Sequence, residues 1–382
     1  MCESVVPCYE TPSPQKYRHL SLLLLDCWQR EYDSRPYRNF IFERLMFEER
    51  IQRLYDPVRD FATIVRFIET RSQLLSIKIV GLEIVSYEIE LLQKFVESFS
   101  NLRSIQLKLM ILPTEFFALL AKTVDQMSVE ELVLEGTPLN DNDIIWLRLY
   151  IINSRTLQYL HVGSCNINQY NFANLADAVH KSQSIKGFNC GRLLGNNLSL
   201  DSQKIAHLIS SLIWQNKLQQ LEMEKCELNS DDMEIIAEYL YNKNSKLFIL
   251  NVAYNTIGPN GAEHLLKAIS VSGTLKSLNM NGCGLGSHGG EYIAKYLSSC
   301  RSLESLRVQN NNIGAEAITL ILLTMKKSLP LNNLHLWGNK YNPRTGSILR
   351  RLIEAGVISQ DTLDITYSFD DTIPGWRVIP WR

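Results

Sequence analysis

Apolar residues recur along this chain in one fixed pattern, L-x-x-L-x-L-x-x-(N/C)-x-(L/I), in which other apolar residues also take the leucine positions. The starts are 27 to 29 residues apart, except for one interval of 33 residues. The pattern begins at Leu74, Leu102, Val129, Leu157, Ile185, Leu218, Leu247, Leu275, Leu303 and Leu331. This regularity predicts an array of ten structural repeats.

Each repeat is predicted to form a short strand followed by a helix. The alternating L-x-L residues indicate a strand with one buried face. The Asn or Cys after it is a small residue turned inward, where an Asn side chain can hydrogen-bond backbone groups that the turn leaves unpaired. Segments 258–269 and 289–297 have apolar residues at helical spacing. Because helices need about 10 Å between neighbours and strands only about 4.8 Å, we expect the strands on the inside of a curved array.

The terminal repeats of such an array need capping segments, so we divide the chain into caps and repeats. We predict a flexible N-terminus at 1–14, a helical cap at 15–73, the repeats at 74–358, and a C-terminal cap and tail at 359–382. Within the first cap, 40–47 and 61–68 are predicted as amphipathic helices. The last helix is expected at 348–353, with Leu363 and Ile365 at the next strand positions.

Two segments of the chain leave alternatives open. The tail carries two Trp-Arg pairs, Trp376-Arg377 and Trp381-Arg382, which either close the array or dock into a partner as an extended peptide. The 33-residue unit contains an insertion at 191–198, just after a strand. It is either a partner-binding loop at the rim or a simple extension.

Polar side chains that flank the L-x-L core are expected on the exposed face of the strands. Glu131 and Glu135 place acid early on this face, and the last four units are rich in Asn, Gln and Arg. Arg and large aromatic residues in a polar, concave setting are typical anchors of protein interfaces. The predicted partner-binding residues are Trp337, His335, Arg307, Gln309, Tyr254, Asn279, Asn281, Glu222 and Glu224. In the alternative interpretation, Trp337 packs against the C-terminal tail.

No pattern in the sequence favours an enzyme. Segment 284–289 matches G-x-G-x-x-G, but the neighbouring unit has the same strand-to-helix turn, so the repeat explains the match. His161, Ser164 and Cys165 cluster at one strand end, yet Cys165 takes the inward position of its unit, where a thiol serves as a small core residue. No His, Cys, Asp or Glu group has metal-ligand spacing. We therefore expect no catalytic residue, cofactor, metal or small-molecule substrate.

Composition narrows the expected partners and compartment. The 382 residues include 39 Lys+Arg and 40 Asp+Glu, and this balance argues against nucleic acid or an anionic membrane as partner. Eight cysteines are scattered without CxxC pairs, which is typical of a reducing compartment. The apolar run 22–25 is too short for a membrane span. We expect an intracellular, cytoplasmic protein, with nuclear, nucleolar and ciliary locations left open.

The repeat pattern, with a full helix in each unit, resembles the ribonuclease-inhibitor type of leucine-rich repeat over residues 74–341. This resemblance implies an α/β solenoid, a horseshoe with a parallel inner sheet and outer helices, that acts as a non-enzymatic scaffold for a protein partner. The family also contains axonemal proteins and the GTPase-activating protein for Ran. A structural subunit of a ciliary complex and a regulator of a small GTPase are therefore alternatives. Segments 334–341, 352–356 and 361–364 are similar to the C-terminal end of one member of this family. That member is linked with germ cells and with nucleolar or ribosome-related functions.

Overall fold

The computed structural model describes residues 18–35, 38–192, 212, 218–242, 245–326, 329–370 and 375–381. The chain divides into two compact units, Met1–Gln158 and Tyr159–Arg382. The predicted flexible N-terminus, and the predicted insertion from residue 193 onward, lie outside the described residues. The predicted boundaries between caps and repeats stay predictions.

The first unit alternates parallel strands with helices behind an N-terminal helix. Its elements are α1 (Leu20–Ser34), β1 (Asn39–Glu43), α2 (Glu49–Gln52), α3 (Pro57–Glu69), β2 (Ser76–Val80), α4 (Ile89–Glu97), β3 (Ser104–Lys108), α5 (Thr114–Lys122), β4 (Glu131–Val133) and α6 (Asp141–Asn153). Strands β1 to β4 pair in parallel and in chain order.

The second unit repeats this alternation and ends in a hairpin. Its elements are β5 (Tyr159–His161), α7 (Gln169–Lys181), β6 (Gly187–Asn189), β7 (Gln220–Glu222), α8 (Ser230–Leu240), β8 (Ile249–Asn251), α9 (Gly258–Ser272), β9 (Ser277–Asn279), α10 (Gly286–Leu297), β10 (Ser305–Arg307), α11 (Ala315–Thr324), β11 (Asn333–His335), α12 (Pro343–Glu354), β12 (Ile365–Asp370) and β13 (Gly375–Pro380). Strands β5 to β11 pair in parallel and in chain order, whereas β12 and β13 are antiparallel.

The strands sit where the repeat pattern places them, and their alternating residues form the core. In β10 and β11, Leu306 and Leu334 are fully buried and lie side by side in register. Burial of each such leucine contributes about 1.5–3 kcal/mol. Within the described residues, a parallel sheet whose strands alternate with flanking helices confirms the predicted leucine-rich-repeat fold class.

The inward Asn of the repeat bonds the backbone as predicted. Asn311 is buried, and its Oδ1 accepts from the backbone N–H groups of Cys283 (2.7 Å) and Leu285 (3.4 Å). Its Nδ2 donates to the carbonyl oxygens of Met280 (2.8 Å) and Gln309 (3.1 Å). One side chain thus satisfies backbone groups on two repeats, and this links neighbouring units. The same ladder is built by Asn255 and Asn339.

The residue just before this inward position is left-handed in all ten units, from Gly81 (φ 77°) to Gly338 (φ 79°). Residues with a Cβ accept strain of roughly 1–2 kcal/mol in this conformation. At Tyr254 (φ 57°) the geometry is held because its backbone N–H donates to the carbonyl of Asn281 on the next unit (2.6 Å). This left-handed position is not recognisable from the sequence, because glycine occupies only some of the ten positions.

Segment 40–47 was expected to be a helix, and that prediction is wrong. It forms strand β1 and a 3₁₀ turn at Arg44–Met46. Phe40 and Phe42 alternate into the core and pair in register with β2, so the segment adds a strand to the sheet before the first predicted repeat. Leu45 and Met46, which made the spacing look helical, are exposed.

A buried polar network joins α1 to α3. Asp60 is fully buried and accepts hydrogen bonds from the backbone N–H and the hydroxyl of Ser21. Its Oδ2 accepts from the backbone N–H of Asp56 (2.8 Å), and its Oδ1 lies 2.9 Å from Nδ1 of His19. His19 and Asp56 are also the N-cap residues of the two helices. This carboxylate therefore fixes both helix starts at once.

The C-terminal hairpin packs on the last helix. Leu363 forms a parallel bridge with Leu334, so it takes the strand position after β11. Beyond it, the Trp376 ring of β13 lies under the guanidinium of Arg350 at 4.5 Å. A Cβ at Gly346 would lie 2.6 Å from the Trp376 carbonyl oxygen, so the missing side chain lets the hairpin approach α12. The hairpin thus covers this side of the last repeat.

Candidate functional site

The inner side chains of β5 to β7 form a closed section, in which one acid is already bound. Oε1 of Glu222 accepts from the Tyr159 hydroxyl (3.2 Å) and from Nε2 of Gln220, and its Oε2 accepts from Nδ2 of Asn189 (3.2 Å). Tyr159 reaches across β6 because Gly187 has no side chain there; a Cβ would lie 2.6 Å from the ring. The structure therefore places Glu222, a predicted partner contact, inside an internal network.

The other acids expected on the inner face are also paired. Glu224 lies 3.7 Å from the guanidinium of Arg192, and Glu135 accepts from Nζ of Lys108 (2.9 Å). Glu131 accepts from the Ser104 hydroxyl. Such half-exposed pairs contribute little stability, about 0–1 kcal/mol each. Lys108 and Arg192 compensate the charges of Glu135 and Glu224, whereas Glu131 is bonded by a neutral hydroxyl.

The inner side chains of β8 to β11 form an open section, in which one row of donors has no side-chain partner within the described part of the chain. Asn251, Asn279, Arg307 and His335 stand next to one another in register. Oδ1 of Asn279 accepts from a backbone N–H two residues later (3.1 Å), which leaves its Nδ2 as the available donor, and Asn251 has the same arrangement. Arg307 is exposed, and the ion pairs of the described residues in this unit involve other side chains. We call these four residues the donor row.

Two predicted contact residues brace the end of the sheet instead. Nδ2 of Asn281 donates to Oε1 of Gln309 (3.0 Å), and Nε2 of Gln309 donates to Oδ2 of Asp364 (2.6 Å). Asp364 also accepts from the backbone N–H groups of Leu336 (2.6 Å) and Trp337 (3.0 Å). The Leu336 N–H is equivalent to the Val308 N–H, which donates to the next strand at His335 (2.9 Å). Asp364 thus supplies the acceptor that follows the last repeat, and no periodic pattern in the sequence indicates it.

Two aromatic side chains beside the donor row are partly exposed and each packs against a neighbouring side chain or backbone segment. Tyr254 is 45% exposed; its ring lies 5.0 Å from Nζ of Lys225 and covers Gly282, where a Cβ would lie 2.5 Å away. Trp337 is 38% exposed and stacks on Tyr341, with ring centroids 6.2 Å apart. Both rings are therefore oriented before any partner arrives.

The patterns that resembled catalytic motifs have structural roles. In segment 284–289, Gly286 is left-handed (φ 59°) and donates to the carbonyl of Asn311 (3.0 Å), which forms the turn into α10. Cys165 is buried in the core. Among the described residues, no three His, Cys, Asp or Glu side chains are placed to hold a metal ion. In the same residues, every helix is too short or too polar to cross a membrane.

The pKa of His335 offers a local test of this geometry. Burial lowers it below the usual value, nearby Asp364 raises it, and the positive charge of Arg307 lowers it. Because the pKa of His335 is lower in the folded chain than in the unfolded chain, protonation of His335 favours unfolding. The free energy of unfolding therefore decreases as the pH falls through about 6.5. We expect Arg307→Gln to raise the NMR titration midpoint of His335 and Asp364→Asn to lower it. A midpoint unchanged in both variants would contradict the arrangement.

Residues 243–266, 272–294 and 299–322 match a family model described as Leucine Rich repeat. These three segments are leucine-rich repeats by this comparison. A comparison with curated protein sequences finds no match. The repeats are therefore recognised on part of the chain, and solved structures extend the likeness.

One chain in the crystal structure of the yeast Rad7 and Elc1 complex has a TM-score of 0.55 at 17% identity, over 76% of this chain and 70% of that chain. A chain of the TLR13–ssRNA13 complex has a TM-score of 0.43 at 19% identity, over 74% of this chain and 35% of its own length. The tropomodulin C-terminal domain of Caenorhabditis elegans scores 0.33 at 14% identity, over 40% and 90% of the two chains. This chain thus spans about a third of the TLR13 chain. At such identities, the likeness to the yeast structure concerns the fold alone.

Proposed function

We propose that this protein is a non-enzymatic scaffold that binds a protein partner through the open section and the adjoining C-terminal rim. The observation that carries the proposal is that two partly exposed aromatic rings, Tyr254 and Trp337, flank a row of polar donors that have no side-chain partner among the described residues. Aromatic residues and Arg dominate binding energy at protein interfaces, because they bury a large area and lose little conformational freedom when already fixed. The predicted contacts Arg307, His335 and Asn279 belong to the same surface.

The remaining predicted contact residues differ in whether their side chains are already hydrogen-bonded within the chain. Glu222, Asn281 and Gln309 are committed to hydrogen bonds within the chain, so we assign them to shaping the surface. Glu224 stands at the border, where Arg192 pairs with it. In this proposal, the residues that touch the partner directly are Tyr254, Asn279, Arg307, His335 and Trp337.

Affinity purification of the full chain from its native tissue tests the proposal. We expect Trp337→Ala to reduce recovery of the specific partner by at least tenfold, since truncation of an interface anchor removes about 2 kcal/mol or more. Tyr254→Ala should also reduce recovery, whereas Tyr170→Ala, which removes a 73% exposed tyrosine on α7, should not. If folded Trp337→Ala and Tyr254→Ala proteins recover the same partners in the same amounts, the proposal is wrong.

The same purification separates the more specific roles. Tubulin and dynein-regulatory subunits among the partners would support a ciliary structural subunit, whereas nucleolar proteins would support the narrower likeness to leucine-rich-repeat-containing protein 34. Stimulated GTP hydrolysis by a recovered small GTPase would replace the scaffold proposal with a regulatory one. We propose an intracellular location for the chain in each case, and imaging of the tagged protein tests it.

A further inference from the structure

In the closed section, the inner face of the second compact unit already binds a carboxylate, that of its own Glu222. The carboxylate of Glu222 lies in the same row of strand positions as the donor row, between Asn189 and Asn251. It accepts from Nδ2 of Asn189 in that row, and from Gln220, two residues earlier on its own strand. An amide from a neighbouring strand and a donor from the adjacent row thus hold one carboxylate on the face.

The open section has donors at the corresponding row positions but no acid. In the donor row, Asn279 offers its Nδ2 and Arg307 its guanidinium, on neighbouring strands in register. Two residues earlier, the half-exposed Ser277 and Ser305 correspond to the position of Gln220. Along β8 to β11, Arg307 is the one residue charged at neutral pH when His is neutral. Its charge is therefore uncompensated by any other residue of these strands.

The geometry favours a carboxylate at the centre of the donor row rather than at its ends. Neighbouring strands stand about 4.8 Å apart, so a carboxylate above Asn279 and Arg307 can accept from both. Beyond the two ends of the row, the carboxylate oxygens of Glu222 and Asp364 accept hydrogen bonds from donors within the chain. The negative charges of these two residues also disfavour the binding of a second acid beside them. A guanidinium also matches a carboxylate with two parallel hydrogen bonds, which an amide cannot do.

We infer that the open section recognises an acidic segment of a protein, with an Asp or Glu carboxylate bound between Asn279 and Arg307. The aromatic rings of Tyr254 and Trp337 lie beside the row and contact the apolar residues that flank the acid. This inference rests on the proposed scaffold function and deepens it by naming the chemistry of the partner. The carboxylate of the partner takes the role that Glu222 has in the closed section.

Selection of a random peptide library on the purified full chain tests the inference. We expect the selected peptides to be enriched in Asp and Glu beside apolar residues. Arg307→Gln should weaken a selected acidic peptide by about tenfold to a hundredfold, since hydrogen bonds to charged groups carry that difference. Arg307→Glu should reverse the preference toward Lys and Arg. Arg301→Glu, which changes an exposed charge in the turn before β10, is the matched control and should leave the selection unchanged.

The outcomes separate this inference from the proposed function. Peptides that depend on Trp337 and Tyr254 but show no acidic preference overturn the inference and leave the scaffold in place. A single-stranded RNA oligomer that binds through Arg307 more tightly than the acidic peptides also overturns it, as does a library without any Arg307-dependent peptide. Peptides that bind equally well to the folded Trp337→Ala and Tyr254→Ala proteins contradict the proposed function itself. Circular dichroism of each variant verifies the fold first.

Discussion

Replacing Asn311 by Ala is expected to lower the free energy of unfolding of the second unit by about 4 kcal/mol, since each buried backbone group left without a partner costs about 1–3 kcal/mol. The side chain accepts from Cys283 and Leu285 and donates to Met280 and Gln309, all within the strand ends of two repeats. Urea denaturation with hydrogen exchange of the β9 and β10 peptides measures the loss.

The matched control for this variant is Asn333→Ala, which removes an exposed Asn at the start of β11. It should change stability by no more than about 0.5 kcal/mol, as surface substitutions usually do. A loss below about 1 kcal/mol for Asn311→Ala would mean that the ladder of inward Asn residues does not hold neighbouring repeats together.

The second large effect is expected at the other end of the chain, where Asp60→Ala should destabilise the N-terminal helices by about 3–5 kcal/mol. The substitution leaves the buried N–H and hydroxyl of Ser21 and the N–H of Asp56 without their acceptor. Because α1 is tied to α3 through this carboxylate, we expect hydrogen exchange of α1 to accelerate most. Peptide-resolved exchange measurements give the local loss directly.

Asp56→Ala is the natural comparison, because it removes the N-cap of the same helix and, besides that, only an exposed ion pair with Arg59. Asp56 accepts from the backbone N–H groups of Val58 (3.2 Å) and Arg59 (3.1 Å), and loss of such a cap costs about 1 kcal/mol. Equal effects of the two substitutions would show that the buried network contributes nothing beyond helix capping.

Much of the fold follows from the sequence because the repeat signal is local and recurs. Each L-x-L pair specifies a buried strand face, and the same spacing returns often enough to set the register of β2 to β4 in the first unit and of β5 to β11 in the second. The failure at 40–47 has the opposite cause. Phe40 and Phe42 alternate as in a strand, but Leu45 and Met46 extend the apolar spacing and favour a helix. Pairing with β2, a non-local contact, decides the outcome.

The candidate site was predicted as a face but not as a set of interactions. Alternation correctly placed Arg307, His335 and Asn279 beside one another on the strands. It could not show that the Glu222 carboxylate accepts a hydrogen bond from Tyr159, two strands away, since that contact depends on the missing side chain of Gly187. Asp364 was missed for a similar reason, because its partners lie in units that precede it in the chain. Side-chain hydrogen bonds across repeats leave no periodic signal.

Site-specific photo-crosslinking in cells tests the central claim most directly. A benzophenone amino acid replaces Ser277 on the inner side of β9 in one protein and the exposed Lys267 on α9 in another. The account predicts that position 277 crosslinks a protein partner, that Trp337→Ala and Arg307→Glu abolish this product, and that position 267 gives none. Crosslinking of the partner from position 267 and not from position 277 would contradict the account, since the partner would then bind the helices rather than the open section.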